Sequence, residues 1–376
     1  MMKTLREKVG SLIVVGLAGT ELTKFEGSWL KLIRPGGIIL FRRNIADARQ
    51  TRALLNDATS LCAVSSIRCV DVEGGTVDRL RDALAPMPSV QAVARAERAR
   101  LSKFDKRRAV GSLSLEHGEL VARGVKAFGF NTSLAPVIDL GLELSAGIMG
   151  TRTAGGTATA VVEYARDFLS GLARFSVVGC GKHFPGLGGG TLDSHLATPS
   201  IERSWSELWR EDLAPYRELR DEMPMVMVNH AAYPRTKGGK TPASASAYWI
   251  TTVLRRRIGY RGIILSDDLE MGGILKFMSI DEAAIEAMRA GSDLVEICHS
   301  PELSLRTYEA LLSEGERSAA FRKMLETRSV KTTRWRKMVY SGGVAAALTA
   351  RQFGALQALI RRFGETVAKS TDAKPA

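Results

Sequence analysis

The sequence predicts an α/β protein, specifically a TIM-type (β/α)8 barrel with a C-terminal helical extension. Eight short apolar runs recur along the chain, helical patterns separate most of them, and 376 residues suit such a barrel with loop insertions. A doubly wound open sheet is the alternative. It is less favoured because eight repeats are more than it needs and because no G-x-G-x-x-G pattern follows the first run.

The eight runs have the composition of strands that are buried on both faces. Several are apolar at successive rather than alternating positions, which is typical of a parallel sheet. In chain order they are 12–18, 36–41, 66–72, 133–140, 177–184, 225–231, 262–268 and 292–298. The N-terminal stretch is basic, but its apolar part is broken by glycines and is too short to span a membrane. We expect it to form the first strand of a cytoplasmic protein.

Helical patterns lie between the runs and again at the end of the chain. The clearest are 47–59, 115–128, 157–172, 205–220 and 281–290. We therefore assign residues 1–330 to the (β/α)8 barrel and residues 331–376 to a basic helical extension with a frayed terminus. Within the extension, residues 345–363 have apolar side chains at helical spacing and arginines opposite. This helix is expected to pack on the barrel exterior or on a second subunit, with weak membrane-surface contact as the alternative.

The charge of the chain raises the question of a nucleic-acid partner. There are 53 Lys and Arg against 40 Asp and Glu, which gives a net charge of +13. Residues 330–376 hold nine of the basic residues and only two acidic ones, and no zinc-finger or RNP-type motif accompanies them. We expect a solvated basic appendage and no nucleic-acid partner.

The four cysteines also indicate the compartment. Cys62, Cys69, Cys180 and Cys298 form no C-x-x-C pair and no closely spaced framework. They are expected to be buried, free thiols in a reducing compartment.

Polar and ionisable residues follow five of the predicted strands. The segments are 71–75, 182–186, 229–230, 266–268 and 298–299. In a barrel the carboxyl ends of all strands meet at one rim, where the chemistry of TIM-barrel enzymes takes place. The sequence therefore predicts a polar active site for a polar ligand at this rim.

The most informative segment is 182–195, KHFPGLGGGTLDSH. Its glycines permit an irregular loop but lack the order of a phosphate-binding P-loop. Near its end, Asp193 and His195 are two residues apart, so in an extended segment their side chains point to the same side, as proton transfer by an oriented imidazole requires. A loop-stabilising polar pair is the simpler interpretation. A metal site of Asp193, His195 and His183 is a third, weakly supported because no helical H-x-x-x-H pair is present.

This segment resembles the signature of glycoside hydrolase family 3, in particular its β-N-acetylglucosaminidase branch. The resemblance extends over about residues 5–325 and excludes the tail. Further blocks in family order are 35–44 (PGGIILFRRN), 71–80 (DVEGGTVDRL), 131–140, 229–234 and 262–271 (GIILSDDLEM).

The resemblance implies catalytic roles for three residues. Asp267 aligns with the nucleophile that attacks the anomeric carbon, His195 with the acid/base, and Asp193 with the partner of that histidine. A histidine acid/base departs from the usual two-carboxylate scheme of retaining glycosidases. Asp268 is the rival nucleophile, but successive strand residues face opposite ways, so we expect only one of the two to face the sugar.

The same alignment implies the sugar contacts. Lys182 and His183 align with residues that bind sugar hydroxyls, and Asp71, Arg79 and Arg152 with further sugar contacts. No metal and no cofactor are expected.

The implied function is a retaining exo-β-N-acetylglucosaminidase that removes terminal N-acetylglucosamine from peptidoglycan-derived fragments (muropeptides). Alternatives are a related family 3 glycosidase or phosphorylase with another sugar specificity, a non-catalytic sugar-binding or regulatory barrel, and a metal-dependent hydrolase. We expect no stable membrane insertion, and either a monomer or a homodimer.

Overall fold

Eight parallel strands close into a barrel in the computed structural model, which describes residues 4–103, 111–190 and 199–372. Around the barrel, the order of the strands is β1-β2-β3-β6-β7-β8-β9-β10. Their bounds are β1 Ile13–Gly16, β2 Gly37–Leu40, β3 Ile67–Val70, β6 Thr132–Ser133, β7 Val178–Phe184, β8 Met225–Val228, β9 Ile263–Asp268 and β10 Leu294–Ile297. Each strand overlaps one of the eight apolar runs, so the predicted TIM-type barrel is confirmed. A small antiparallel hairpin, β4 (Val72–Gly74) and β5 (Val77–Asp78), follows β3.

Helices surround the barrel. They are α1 Leu5–Gly10, α2 Lys24–Ile33, α3 Ala48–Ser60, α4 Val90–Lys103, α5 Leu113–Ala127, α6 Ala146–Met149, α7 Ala158–Arg174, α8 Trp205–Arg210, α9 Ala214–Glu218, α10 Gly272–Leu275, α11 Ile280–Ala290, α12 Pro301–Arg317, α13 Ala319–Val339 and α14 Ala350–Asp372, with a π-helix at Tyr248–Arg257. Short 3₁₀ turns lie at Arg42–Asn44, Glu143–Ser145, Gly150–Arg152 and Ala243–Ala245.

Two local predictions were wrong. The N-terminal stretch does not begin with the first strand, because α1 precedes it: Thr4 and Glu7 form a capping box that starts this helix. The helix predicted over residues 205–220 is divided into α8 and α9. Pro215 has no N–H to donate to the carbonyl of Glu211, and its ring would clash with that carbonyl in a continuous helix.

The inside of the barrel forms its own apolar cluster. Its members are Val14, Ile39, Ile67, Cys69, Leu134, Val178, Cys180, Met225, Met227, Ile263, Leu265, Leu294 and Cys298. Helix α13 crosses the N-terminal end of the barrel, where Trp335, Val339 and Tyr340 pack against this cluster. The hydroxyl groups of Tyr340 and Thr132 lie 2.7 Å apart. We call this closed end the barrel floor.

Helix α14 packs on α4 and α5, on the outside of the barrel. Its apolar face is buried through Leu356, Ile360, Phe363 and Val367. The predicted tail helix is thus present, and its apolar side covers the barrel exterior. Residue 331 lies within the continuous helix α13, residues 369–372 continue α14, and residues 373–376 lie outside the described part.

The cysteines and the character of the helices complete the description of the fold. All four cysteines are buried and free, as expected. Among the described residues, no helix combines the length and the apolar character that crossing a membrane requires.

Candidate active site

A cavity of about 170 Å³ opens at the carboxyl ends of the barrel strands. Six of the eight residues predicted for the site border it: Asp71, Arg79, Arg152, Lys182, His183 and Asp267. The other two, Asp193 and His195, lie outside the described residues. A larger cavity of about 540 Å³, lined in part by Ser65 and Ser176, contains none of the six.

Two strands are irregular where they reach this cavity. Between Gly181 and Phe184, β7 contains one residue more than the part of β8 with which it pairs. Between Leu265 and Asp268, β9 likewise contains one residue more than the paired part of β10. An extra residue of this kind bends the strand and breaks the alternation of its side chains. Two consecutive residues of each strand therefore border the cavity: Lys182 with His183, and Asp267 with Asp268.

Strict alternation, the reason for expecting only one of the two aspartates to face the site, therefore does not hold at this end of β9. The two carboxyl groups nevertheless differ in their surroundings. Asp268 Oδ1 accepts hydrogen bonds from the backbone N–H groups of Glu270 and Cys298. Burial and the negative charge of Glu270 raise the pKa of Asp268 to about 7. Asp267 Oδ1 accepts one hydrogen bond, from its neighbour's N–H at 2.9 Å.

A buried ion-pair network forms one wall of the cavity. Lys182 Nζ lies 2.7 Å from Asp71 Oδ1 and 2.7 Å from Glu73 Oε1. Arg152 donates from Nε and Nη2 to the two carboxylate oxygens of Glu73, both at 2.8 Å. Two cations and two carboxylates thus alternate along the wall, and each long side chain is held by charge-assisted hydrogen bonds.

The charges of this network stabilise one another. Burial alone would raise the pKa of Asp71 and Glu73, but the adjacent cations, Lys182 for both and Arg152 for Glu73, outweigh burial and lower both values. Conversely, burial alone would lower the pKa of Lys182, and the two carboxylates raise it. Asp71 is therefore an ionised acceptor and Lys182 a charged donor.

The turn that carries Glu73 depends on glycine. Gly74 has a φ of 98°, and a Cβ atom there would lie 2.2 Å from the carbonyl oxygen of Pro88. Only glycine fits both the left-handed backbone and this close approach.

His183 is oriented by Asp139. The Nδ1 atom of His183 lies 2.7 Å from Asp139 Oδ2, which also accepts from the backbone N–H of His183 at 3.1 Å. A proton on Nδ1 satisfies this contact and leaves Nε2 as an acceptor on the cavity side, 3.4 Å from Arg152 Nη2. Asp139 Oδ1 accepts from the N–H of Leu187, so the same carboxylate also holds the start of the glycine-rich loop.

Arg79 lies nearer to the cavity mouth. Its Nη2 atom is 3.7 Å from Asp71 Oδ2, and its guanidinium carbon is 5.6 Å from the centre of the Phe41 ring. The Phe41 ring in turn stacks on His299, with 5.3 Å between ring centres. The mouth of the cavity therefore combines a cation with flat ring surfaces.

The sequence interpretation omitted three acids that the structure brings to the site. Glu73 was left out although it lies in the matched block, Asp139 ends the fourth predicted strand, and Glu296 lies within β10. A signal was present for Glu296, because this acid interrupts the apolar stretch 294–298 of the eighth run. Asp139 lies in a matched block as well, 131–140, but the resemblance assigned it no role.

Of the three ligands in the metal alternative, only His183 belongs to the described part of the chain. Within residues 4–103, 111–190 and 199–372, no group of three or more His, Cys, Asp or Glu side chains is arranged to hold a metal ion.

Comparison with known proteins agrees with this architecture. The profile of the "Glycosyl hydrolase family 3 N terminal domain" matches residues 4–328. Proteins named beta-hexosaminidase from Alkalilimnicola ehrlichii and Thioalkalivibrio sulfidiphilus are 37% and 35% identical to this chain. The first alignment covers 77% of this chain and 81% of the relative, and the second 81% and 85%.

Solved structures agree as well. A family 3 β-N-acetylglucosaminidase from Paenibacillus superposes with a TM-score of 0.85 at 30% identity, over 97% of this chain and 69% of that one. NagZ from Neisseria gonorrhoeae, in complex with N-trifluoroacetyl-D-glucosamine, gives a TM-score of 0.74 at 30% identity, over 94% of this chain and 97% of that one. From the barrel, the rim of polar residues and these matches, we conclude that the chain is an enzyme and belongs to glycoside hydrolase family 3.

Proposed function

We propose that the chain is a retaining exo-β-N-acetylglucosaminidase that removes terminal N-acetylglucosamine from peptidoglycan-derived fragments. The observation that carries this proposal is that Asp267 borders the same cavity as the Lys182–Asp71 pair and His183. A carboxylate able to attack thus lies beside donors and acceptors for sugar hydroxyls. The cavity, about 170 Å³, is smaller than the ~300 Å³ at which pockets for drug-sized ligands begin, which favours a single terminal sugar.

The proposed reaction has two steps. Asp267 attacks the anomeric carbon while His195, as the imidazolium, gives its proton to the leaving oxygen, so that a glycosyl-aspartyl ester forms and the aglycone departs. Neutral His195 then takes a proton from water, the resulting oxygen attacks the same carbon, and the ester bond to Asp267 breaks. Asp193 holds the imidazole in the required tautomer. A group that titrates near neutral pH can perform both proton transfers.

The described residues would bind and orient the sugar. Asp71 accepts from hydroxyl groups, Lys182 donates to them, and Arg152 and His183 extend the hydrogen-bonding wall. Because Asp71 and Lys182 are already fixed by their ion pair, little side-chain freedom is lost when the sugar binds. Sugars with a different arrangement of hydroxyls would leave some donors and acceptors of this wall without a hydrogen-bond partner in the sugar, which is a basis for discrimination.

We place this reaction in the cytoplasm, and four free, buried thiols are compatible with a reducing compartment. The natural substrate would be a muropeptide with a terminal N-acetylglucosamine. Fractionation of cells and hydrolysis of purified muropeptides test these two points.

The decisive test uses a fluorinated N-acetylglucosaminide that accumulates as the covalent intermediate. Wild-type protein is expected to gain the mass of one glycosyl group on Asp267, and Asp267→Asn to gain none. Asp268→Asn is the matched control and should still be labelled, because Asp268 is engaged by backbone N–H groups. Labelling of Asp267→Asn, or of Asp268 in the wild type, would overturn the assignment of the nucleophile.

Steady-state rates test the sugar and the acid/base. The 4-nitrophenyl N-acetyl-β-D-glucosaminide should be hydrolysed in preference to the matching glucoside. For His195→Ala, we expect a large loss with a poor leaving group and a much smaller loss with a good one, because only a poor leaving group needs the proton. An equal loss with both leaving groups would refute the role of His195.

A further inference from the structure

Glu296 lies inside the barrel, although the rest of its strand is apolar. Alternation along β10 places Leu294 and Cys298 in the inner cluster and Val295 and Ile297 among the helices. Glu296 therefore points inward, where its side chain borders the active-site cavity, and only 1% of the residue is exposed.

One carboxyl oxygen of Glu296 has no hydrogen-bond partner within the described part of the chain. Its backbone is satisfied: the N–H donates to Ser266 Oγ at 3.1 Å, and the carbonyl accepts from Leu269 at 2.9 Å. Its Oε1 atom, in contrast, is buried without a hydrogen-bond partner. Leaving a buried polar group unpaired costs about 1–3 kcal/mol, and the group borders the open volume of the cavity.

The surroundings determine its charge. Burial raises the pKa of Glu296, and the nearby carboxyl groups of Asp268, Asp71 and Asp267 raise it further, whereas Lys182 opposes them. Lys182 is already paired with two other carboxylates. Further titratable neighbours among the described residues are the thiols of Cys69, Cys180 and Cys298, whose pKa values are also raised by burial. Glu296 is therefore a neutral acid, with one O–H donor and one carbonyl acceptor.

We propose that Glu296 is a specificity-determining residue, which donates a hydrogen bond from its carboxyl group to a hydroxyl oxygen of the bound sugar. This rests on the proposed function, because it takes the cavity to be the sugar site. Ionised Asp71 can only accept hydrogen bonds from the sugar, and Glu296 adds a donor that carries no charge. Such a donor binds a hydroxyl oxygen without drawing an anion into the site.

The test measures the affinity of the full-length protein for N-acetylglucosamine and for its 3-deoxy, 4-deoxy and 6-deoxy analogues by calorimetry. Glu296→Leu removes the donor at similar volume, and Glu296→Gln, whose amide still donates, is the matched control. We expect Glu296→Leu to bind N-acetylglucosamine about three- to tenfold more weakly, as the loss of one hydrogen bond predicts. Glu296→Gln should stay within about twofold of wild type.

The deoxy sugars identify the contact. One analogue should bind equally to wild type and Glu296→Leu, because the hydroxyl that Glu296 contacts is already absent. The inference is overturned if Glu296→Leu weakens all four sugars by the same factor, or weakens none. If wild-type protein binds none of the four sugars, the proposed function fails as well. If it binds and hydrolyses the N-acetyl sugar while Glu296→Leu behaves identically, only the inference fails.

Discussion

Replacing Glu73 by glutamine tests whether the buried network, rather than cavity shape alone, maintains the site. Glu73 is fully buried and makes three short contacts, two with Arg152 at 2.8 Å and one with Lys182 at 2.7 Å. Glutamine has almost the same volume but no charge, so both cations lose a counterion while remaining buried. Breaking a buried ion pair in this way costs about 3–5 kcal/mol. We expect a loss of that size in the free energy of unfolding at pH 7.

The assay is urea denaturation followed by tryptophan fluorescence, with Glu222→Gln as the control. Glu222 also forms a two-point contact with Arg166, at 3.0 and 3.2 Å, but 37% and 43% of these side chains are exposed. Solvent screens this pair, so its loss should cost no more than about 1 kcal/mol. Because Glu73 and Glu222 each make a two-point contact with an arginine, the difference between the two losses of stability measures the effect of burial.

The pH dependence gives a second readout. The pKa of Glu73 is lower in the folded protein than its ordinary value of 4.5. The stabilisation is therefore complete above pH 4.5 and is lost as the pH falls below that value, at about 1.4 kcal/mol for each pH unit. The difference in the free energy of unfolding between wild type and Glu73→Gln should therefore decrease as the pH falls below 4.5. A loss below about 1 kcal/mol at pH 7, or a gap that does not change with pH, would refute the reasoning.

Three further outcomes are expected from the same denaturation assay. Phe363→Ala should lower the free energy of unfolding by about 3–5 kcal/mol, because this α14 side chain is 2% exposed and lies against His117, with 5.8 Å between ring centres. A loss below about 1 kcal/mol would contradict tight packing of Phe363 against the barrel. Gly74→Ala should lower both the free energy of unfolding and the rate of sugar hydrolysis. Gly239 also has a positive φ but has open space around it, so Gly239→Ala should lower the free energy of unfolding by only about 1–2 kcal/mol and leave hydrolysis intact. Equal effects of the two substitutions would contradict the role of the Pro88 contact. Glu296→Leu should become more stable relative to wild type as the pH rises above 4.5. The pKa of Glu296 is raised in the folded state, so above this pH the carboxyl group ionises more readily in the unfolded wild-type chain and favours unfolding. A difference in stability between the two proteins that does not change with pH would argue against a neutral carboxyl group.

The barrel could be predicted from the sequence because its strands carry their own signal. Runs such as 225–231 and 262–268 are apolar at successive positions, and only a sheet buried on both faces needs that pattern. The divided helix at α8 and α9 had a visible cause in Pro215. Helix α1 was overlooked because it is short and because its capping pair, Thr4 and Glu7, stands beside an apolar run that dominated the interpretation.

The site was only partly predictable, for reasons of geometry. Residues inside the blocks that resemble family 3, such as Lys182 and Asp71, could be named from the sequence. Which of them touch depends on the closure of the barrel, since the pair is 111 residues apart in sequence. The irregular registers of β7 and β9 could not be read from the chain either, because strict alternation is the default expectation for a strand. For Glu296, the sequence showed an acid within an apolar strand. That its side chain points into the barrel could be established only from the pairing of the strands.

The barrel floor has a practical consequence for shortened versions of the protein. The region that matches the family profile ends at residue 328, yet Trp335, Val339 and Tyr340 cover the lower opening of the barrel. A gene cut at the end of the profile would remove this cover and expose apolar side chains at the lower end of the packed barrel to water. Such a product would be prone to self-association through that opening. Expression and crystallisation designs should therefore retain the whole of α13 and the tyrosine that follows it.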